Sequence, residues 1–308
     1  MSRTPPHADR YRTRVPEKTA PIPRPDPVVY GSATDGPLSA TTLTHFEENG
    51  YCSDPALLGE ADVATLTREM SALAADPDIR GSDRSVIEEN SREVRSVFEV
   101  HRMSPIFDQL VRDPRILGPV RQFLGSDVYV HQSRINYKPG FGGGPFYWHS
   151  DFETWHAEDG MPTPRAVSVS IALTENYPYN GSLMIIPRSH RTFVPCVGET
   201  PKNHYRNSLR THTVTIGMPD DASIAELASG QGIEQLTGPA GSATIFDSNC
   251  MHGSNGNITP YPRANVFIVF NSLENTLRAP FAAAEPRPEH IASHDFTPVN
   301  LFHPLSGG

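Results

Sequence analysis

The stretch VYVHQSRINYKPG, residues 128–140, marks a change in the character of this sequence. It is rich in β-branched and aromatic residues, alternates in part between apolar and polar side chains, and ends in a Pro-Gly turn, as a strand does. Four later stretches share this pattern: AVSVSIALTEN (166–176), SLMIIPRSH (182–190), GSATIFDSN (241–249) and ANVFIVFNSLEN (264–275). We predict that the five stretches are strands of an antiparallel sandwich or barrel.

The residues before 128 show a different period. Apolar residues recur every three or four positions, which predicts helices, in LSATTLTHFEENGY (38–51), EADVATLTREMSALAAD (60–76) and SPIFDQLVRDPRILGPVRQFLG (104–125). Helices followed by strands favour an α+β, mainly β fold, with helices packed outside a closed or nearly closed sheet. A short helical pattern around residues 224–227 is predicted to be a surface excursion between strands.

Length and composition indicate a globular chain. With 308 residues the chain can bury a substantial core, and we expect one domain over residues 27–308: helices to about 127, a strand core over about 128–275, and a C-terminal extension. Residues 1–26 are rich in proline and have no apolar h-region, so they predict an extended arm and not a signal peptide. No apolar run approaches the roughly 20 residues that cross a bilayer.

The cysteine content and net charge limit which kinds of site, compartment and ligand we expect. The three cysteines form no CxxC pair, which argues against a disulfide framework and a zinc–thiolate site and favours the reducing cytoplasm. The net charge is −9 and no basic cluster is visible, so a nucleic-acid partner is not expected. We expect a small-molecule ligand instead.

The stretch FYWHSDFETWHAEDG, residues 146–160, predicts a metal site. His149 and Asp151 are two residues apart, so on an extended segment they project to the same side. His252 follows the predicted strand ending in ATIF and lies in a turn rich in Ser, Asn and Gly. Two histidines and one carboxylate leave three faces of an octahedral metal open, which is the facial triad of non-haem Fe(II) oxygenases.

Arg263 strengthens this interpretation. It lies eleven residues beyond His252 on the next predicted strand, where a guanidinium can clamp a carboxylate bidentately, as in 2-oxoglutarate-dependent oxygenases. The alternative is that His149 is a surface loop residue and His252 a turn or helix cap. His156 precedes a predicted turn, and we place it outside the metal shell.

The motifs WHSDFETWHAEDGMP (148–162), NGSLMIIPRSH (180–190) and HQSRINYKPGF (131–141) carry a resemblance. With the segment 237–275, they resemble the ectoine hydroxylases, in the phytanoyl-CoA dioxygenase-like branch of the Fe(II)/2-oxoglutarate oxygenases. The resemblance begins at about Pro27 and reaches the C-terminal region. It implies a double-stranded β-helix (jelly-roll, cupin-like) core with flanking helices, and the hydroxylation of ectoine to 5-hydroxyectoine in compatible-solute biosynthesis, a stress response.

The resemblance also implies cofactors and site residues. Fe(II), 2-oxoglutarate and O2 would be used, succinate and CO2 released, and the relatives behave as homodimers. The implied iron ligands are His149, Asp151 and His252. The implied 2-oxoglutarate contacts are Lys138, Asn136, Phe146, Ser254 and Arg263. The implied substrate contacts are Gln132, Trp155, Phe98, Phe246 and Thr154. Two positions depart from the family, which usually has Gly in place of Arg188 and Pro in place of Ser182.

The chemistry of ectoine suits these residues, but each has an alternative interpretation. An amidinium can lie over the ring of Trp155, Phe98 or Phe246, yet Phe98 and Phe246 are also typical of ordinary core packing. Lys138 can equally be a solvated lysine at the end of a strand. The carboxylate of Asp151 favours hydroxylation, since halogenating relatives have a small residue there. The competing functions are hydroxylation of another small zwitterion or amino acid, and metal-dependent binding without redox chemistry.

Overall fold

The computed structural model describes residues 9–88, 92–208 and 216–301. Residues 1–8 of the expected arm and residues 302–308 of the expected C-terminal extension lie outside this part. The α-helices are α1 (Ala40–Asn49), α2 (Glu60–Ala75), α3 (Pro77–Gly81), α4 (Val100–Met103), α5 (Pro105–Val111), α6 (Pro114–Leu124), α7 (Asp151–Thr154), α8 (His204–Ser208) and α9 (Asp221–Gln231). A π-helical turn at Trp155–Asp159 follows α7, and short 3-10 turns lie at Ser189–Arg191 and Leu273–Asn275.

The strands are β1 (Ile22–Pro23), β2 (Tyr51–Asp54), β3 (Ser85–Ile87), β4 (Val94–Phe98), β5 (Val128–Lys138), β6 (Phe146–His149), β7 (Ala166–Ala172), β8 (Leu183–Ile185), β9 (Thr192–Phe193), β10 (Glu234–Leu236), β11 (Ala243–Asp247), β12 (His252–Ser254) and β13 (Arg263–Ser272). A large antiparallel sheet has the order β2-β11-β7-β13-β5-β4-β3, and a smaller one has the order β10-β8-β12-β6. β1 pairs with β9.

The two main sheets pack face to face through apolar side chains. Leu183 and Ile185 of the smaller sheet share a buried cluster with Phe246 and Phe267 of the larger one. The centre of the larger sheet is the long pairing of β13 with β5, which runs from Arg263 opposite Lys138 to Ser272 opposite Val128. All five predicted strand stretches contain a strand, and the helices lie outside the sheets, so the predicted α+β, mainly β layout is confirmed.

Helices α1 and α6 pack on the large sheet, whereas α9 packs on a separate cluster beside the smaller sheet. Phe46 of α1 stacks on Phe123 of α6 with ring centroids 3.9 Å apart, and both rings are fully buried in the main core. The apolar period predicts one helical stretch over 104–125, and the structure divides this stretch into α5 and α6. Asp113 causes the division, because its side chain caps α6 at the backbone N–H of Arg115 and Pro114 then occupies the first helical position.

Besides β1, the described part of the first third contains three strands, β2, β3 and β4, that the sequence did not predict. β2 pairs with β11 at one edge of the large sheet, and β4 pairs with β5 and β3 at the other. These strands have only three to five residues. Every residue of β4 is buried, so it lacks the alternation of a half-exposed strand. Tertiary pairing therefore determined their conformation.

The N-terminal segment, residues 9–26, is extended and packs against the body of the protein. Tyr11 is fully buried in an apolar cluster with Phe152 and Phe193. Arg24 donates to Asp247 at 2.7 Å, and both side chains are buried. Burying these ions is favourable only because they are paired. Within the described ranges, no helix combines the length and apolar character that crossing a membrane requires.

Candidate active site

Three predicted metal ligands meet where the smaller sheet ends. His149 closes β6, Asp151 opens α7, and His252 opens β12 directly opposite His149 in the sheet register. One ligand atom from each residue lies within 4.8 Å of the other two. The Nε2 atoms of His149 and His252 lie 3.7 and 3.8 Å from the two carboxylate oxygens of Asp151. The three side chains are therefore within reach of one cation.

Hydrogen bonds behind the triad orient its ligand atoms. The Nδ1 of His149 lies 2.7 Å from the carbonyl of Tyr147, and the Nδ1 of His252 lies 3.0 Å from the carbonyl of Cys250. A carbonyl only accepts, so each Nδ1 carries the proton and each Nε2 presents its lone pair to the centre. The hydroxyl of Ser168 donates to Asp151 at 3.2 Å.

The charge states of the triad suit a divalent cation. Burial alone would raise the pKa of Asp151, but the nearby His252, His149 and Arg134 bring it below its ordinary value, so the side chain is a carboxylate. Burial, together with His149, lowers the pKa of His252 to about 4. The imidazole of His252 is therefore neutral at neutral pH, as a metal ligand must be.

A cluster of cations lies beside the triad, on the paired strands β5 and β13. Arg263 donates from Nη1 to the carbonyl of Gly181 at 2.6 Å. Lys138, opposite Arg263 in register, donates to the hydroxyl of Ser254 at 2.8 Å and to the carbonyl of Asn255 at 2.5 Å. None of these acceptors carries a charge.

The ring of Phe146 lies beside these basic groups and also lines a cavity next to the triad. The Arg95 guanidinium lies 4.2 Å from the ring centroid and the Lys138 ammonium 5.1 Å from it. Burial, with Arg263 and Arg95 nearby, lowers the pKa of Lys138 to about 6, and burial lowers that of Arg263 to about 10. The Glu88 carboxylate lies 3.6 Å from Arg95. At neutral pH the Arg95 and Arg263 guanidinium groups carry the positive charge of this cluster while Lys138 is neutral, and a dicarboxylate would pair with that charge.

Asn136, the remaining predicted co-substrate residue, lies on β5 two residues before Lys138. Its amide oxygen accepts from the Ser96 hydroxyl at 2.6 Å. Because residues two apart on a strand face the same side, Gln132, Arg134, Asn136 and Lys138 form one row. The structure therefore brings all five predicted co-substrate residues to neighbouring positions on β5, β6, β12 and β13.

A cavity of about 150 Å³ opens in front of the triad. Its lining includes six predicted site residues: Gln132, Phe146, Thr154, Trp155 and the metal ligands His149 and Asp151. Trp155 is almost fully buried and begins the π-helical turn after α7. The amide nitrogen of Gln132 donates to the carbonyl of Ile291 at 2.7 Å, which fixes the orientation of its side chain.

Two predicted substrate residues do not line this cavity. Phe98 lies in a separate buried cluster with Val86 and Ile291. Phe246 packs its ring edge-on against His252 at 5.0 Å and supports the metal ligand from the core side. His156 points away from the triad: its Nδ1 lies 2.8 Å from the carbonyl of Met161 and its Nε2 lies 2.9 Å from Asp9.

Sequence reasoning missed four charged residues of the cavity lining, namely Arg95, Arg134, Glu158 and Arg287. Arg134 had a signal, since it lies in the alternating row between Gln132 and Asn136. Glu158 lies in the stretch 146–160 that predicted the metal site, but its role there was not recognised. Arg287 had no signal, because it follows the last strand in an irregular segment, where Asp159 holds it at 2.7 and 2.5 Å.

The two departures from the family pattern have local explanations. Arg188 has a φ of 65°, in the left-handed region where glycine fits without strain. Ser182 is buried, and within the described ranges its hydroxyl has no hydrogen-bond partner. Neither residue lines the cavity in front of the triad.

Comparison with known proteins agrees with this geometry. The family model of phytanoyl-CoA dioxygenase matches residues 46–265. The ectoine dioxygenase of Streptomyces avermitilis is 57% identical over 279 residues, which are 90% of this chain and 94% of that protein. The chain belongs to the phytanoyl-CoA dioxygenase family, in the group of the ectoine dioxygenases.

Solved structures of this family give the same result. The crystal structure of EctD from S. alaskensis with bound Fe has a TM-score of 0.85 at 43% identity and covers 96% of this chain and 98% of that chain. The crystal structure with 2-oxoglutarate and 5-hydroxyectoine has a TM-score of 0.83 at 46% identity, with 92% and 94% covered. The predicted double-stranded β-helix core with flanking helices is thereby confirmed.

Proposed function

We propose that this protein hydroxylates ectoine to 5-hydroxyectoine, using Fe(II), 2-oxoglutarate and O2 and releasing succinate and CO2. The observation that carries the proposal is a two-histidine, one-carboxylate triad beside a buried cluster of basic residues; His149 and Asp151 of the triad and Arg95 and Phe146 at the cluster line one cavity. The first fits Fe(II) with open positions and the second fits a dicarboxylate. Family membership and the named relatives supply the substrate.

His149, Asp151 and His252 would hold the iron. They offer two neutral nitrogens and one carboxylate from one side, so the positions that face the cavity stay available to ligands. When bound, Fe(II) supplies the redox chemistry that couples oxidation of 2-oxoglutarate to oxidation of a substrate C–H bond. The protein orients the Nε2 atoms through the Tyr147 and Cys250 carbonyls.

Arg263 and Lys138 would bind the distal carboxylate of 2-oxoglutarate. The Arg263 guanidinium provides a planar donor pair for the two oxygens, and the Lys138 ammonium provides a point charge. Ser254, which already contacts Lys138, would add a hydroxyl donor, with Asn136 and Phe146 on either side. Arrival of the dianion would also return Lys138 to its protonated form, because opposite charge favours the charged state.

Trp155, Thr154 and Gln132 would bind ectoine from the cavity wall. The Trp155 ring offers an aromatic face for the amidinium, and Gln132 offers the free oxygen of its oriented amide. Phe246 would act by packing against His252, and Phe98 by supporting the wall from its core cluster. The positioned residues keep the reacting C–H bond near the metal and keep water away from it.

The chain's wider organisation is also part of this proposal. Of the described residues, 27–301 would form one oxygenase domain, and 9–26 would pack against it as an arm. The protein works as a cytoplasmic homodimer in osmotic stress, without nucleic-acid or membrane partners. The net charge of −9 supports the absence of a nucleic-acid partner, and the absence of a CxxC pair supports the cytoplasm. Light scattering tests the dimer, and an excess of monomer at working concentration would contradict it.

The deciding experiment is an aerobic incubation of the Fe(II)-loaded protein with 2-oxoglutarate and ectoine, in which succinate and product mass are followed together. We expect succinate to form in step with ectoine that has gained one oxygen atom. Succinate without hydroxyectoine would favour a hydroxylase of another small zwitterion. Neither product, with iron demonstrably bound, would favour a binding protein without redox chemistry.

A further inference from the structure

We propose that Glu158 receives the cationic end of the substrate and that Arg14, in the N-terminal segment, positions its carboxylate. The inference rests on the proposed function, because it concerns how a zwitterion is held in that cavity. Among the described residues that line the cavity, two are acidic, Asp151 and Glu158. Asp151 belongs to the metal triad, so Glu158 is the carboxylate that remains for a substrate cation.

The position of Glu158 suits a delocalised cation. It lies three residues after Trp155 in the π-helical turn Trp155–Asp159, and both side chains line the same cavity. π-Helical turns often occur at functional sites because they change which side chains face a ligand. An aromatic face next to a buried carboxylate is a favourable environment for an amidinium, which stacks on the ring and donates its N–H groups in plane.

Arg14 holds the Glu158 carboxylate in place but shares its positive charge with a second carboxylate. Its Nη2 donates to Glu158 at 3.1 Å, and the same guanidinium donates from Nε and Nη2 to the two oxygens of Glu153 at 2.7 and 2.9 Å. Thr13 also donates to Glu153. One buried guanidinium thus serves two buried carboxylates, and its better contacts are with Glu153.

The other basic groups described around the cavity donate no hydrogen bond to Glu158. The His204 Nε2 lies 3.9 Å from Glu158, and burial lowers the pKa of His204, which favours its neutral form. Arg287 donates to both oxygens of Asp159 and is also close enough to Glu158 to interact with it electrostatically, without a hydrogen bond between them. Arg134 faces Asp151 of the triad. Among the described residues, Arg14 alone donates a hydrogen bond to Glu158, and it shares its guanidinium with Glu153, so a substrate cation would give Glu158 a partner of its own.

The backbone around Arg14 is held in a strained conformation. Its φ of 54° lies in the left-handed region, which non-glycine residues rarely adopt. Val15 pairs with Val197, and the Thr13 hydroxyl accepts from the Cys196 N–H at 2.9 Å, so both neighbours of Arg14 are fixed. A Cβ at Gly217 would lie 2.4 Å from Arg14 Nη2, so glycine leaves room for the guanidinium.

The test compares Glu158→Gln, Arg14→Gln and Arg14→Lys with Lys18→Met. Lys18 is a matched control from the same segment, since its ion pair with Asp220 is about half exposed. For Glu158→Gln and Arg14→Gln we expect KM for ectoine to rise about 10- to 100-fold, the range for one charged hydrogen bond. KM for 2-oxoglutarate should stay within about 2-fold, and Arg14→Lys should restore part of the affinity.

Equilibrium dialysis with labelled ectoine gives a second readout that does not depend on turnover. If Glu158→Gln fails to fold, Glu158→Asp, which shortens the side chain by one methylene, should weaken ectoine binding in the same direction. Unchanged ectoine affinity in the folded Glu158 variants, in a protein that hydroxylates ectoine, would overturn this inference alone. A wild-type protein that forms succinate without oxidising ectoine would overturn the proposed substrate as well.

Discussion

Replacing Lys138 with methionine should stabilise the protein while it weakens 2-oxoglutarate binding. The Lys138 side chain is buried beside Arg263 and Arg95, and these surroundings lower its pKa from the ordinary 10.5 to about 6. At about pH 7 the folded protein therefore holds Lys138 neutral, whereas the unfolded chain holds it charged. Folding releases a proton, and the free energy of unfolding is smaller than it would be without this lysine.

The magnitude follows from the two pKa values. Between pH 6 and 10.5 the unfolded chain binds one more proton at this site, so stability rises with pH by about 1.36 kcal/mol per pH unit. Lowering the pH from about 9 to about 7 therefore costs the wild type roughly 2.7 kcal/mol. Lys138→Met removes this dependence. It also leaves the acceptors at Ser254 and Asn255 without their donor, which costs about 1–3 kcal/mol at every pH.

Urea unfolding of both proteins at these two pH values, with a chelator and without 2-oxoglutarate, measures the difference directly. Relative to the wild type, Lys138→Met should be more stable at the lower pH by roughly 2.7 kcal/mol more than at the higher pH. Groups that titrate equally in both proteins cancel in this comparison. A stability difference that is independent of pH would refute the depressed pKa. Calorimetry in buffers of different ionisation enthalpy should also show proton uptake when 2-oxoglutarate binds the wild type.

Three further predictions concern the metal site, the co-substrate site and a strained turn. His252→Ala should lose Fe(II) during anaerobic dialysis, measured as metal per chain, while His45→Ala, an exposed control, should retain it; equal iron content would contradict the triad. Arg263→Gln should raise the Kd of 2-oxoglutarate about 10- to 100-fold by calorimetry with unchanged iron content, and an unchanged Kd would place the carboxylate elsewhere. Arg188→Gly should raise the free energy of unfolding by about 0.5–1 kcal/mol, since φ is 65° there; a less stable variant in urea would show that the left-handed turn is not strained.

The sequence was most informative where one local pattern is sufficient. His149 ends β6 and Ser150 is still extended, so His149 and Asp151 project to the same side although Asp151 opens α7. His252 follows a strand that is easily recognised, so the triad could be predicted before the fold was known. The strands at 128–138 and 263–272 carry long runs of β-branched and aromatic residues. Their pairing then places Lys138 opposite Arg263, which spacing alone did not indicate.

Features that depend on distant contacts were less accessible. β4 was hidden because its conformation comes from pairing with β5 and β3 and not from alternation. Arg287 and Arg14 reach the site from irregular segments at opposite ends of the described chain, where no period indicates direction. Phe98 and Phe246 could not be assigned from the sequence, because an aromatic residue in a strand is equally compatible with a ligand wall and with the core. The structure places both in core clusters.

The N-terminal segment also has a consequence for the order of folding. Thr13 pairs with a carboxylate 140 residues later, and Arg24 with one 223 residues later. During synthesis, Arg14 and Arg24 emerge long before Glu153 and Asp247 exist, and they must remain solvated until those carboxylates are in place. Contacts of such long sequence separation form late and slowly. We therefore expect closure of this segment to be among the last steps of folding, and the cavity wall at Glu158 to be completed only then.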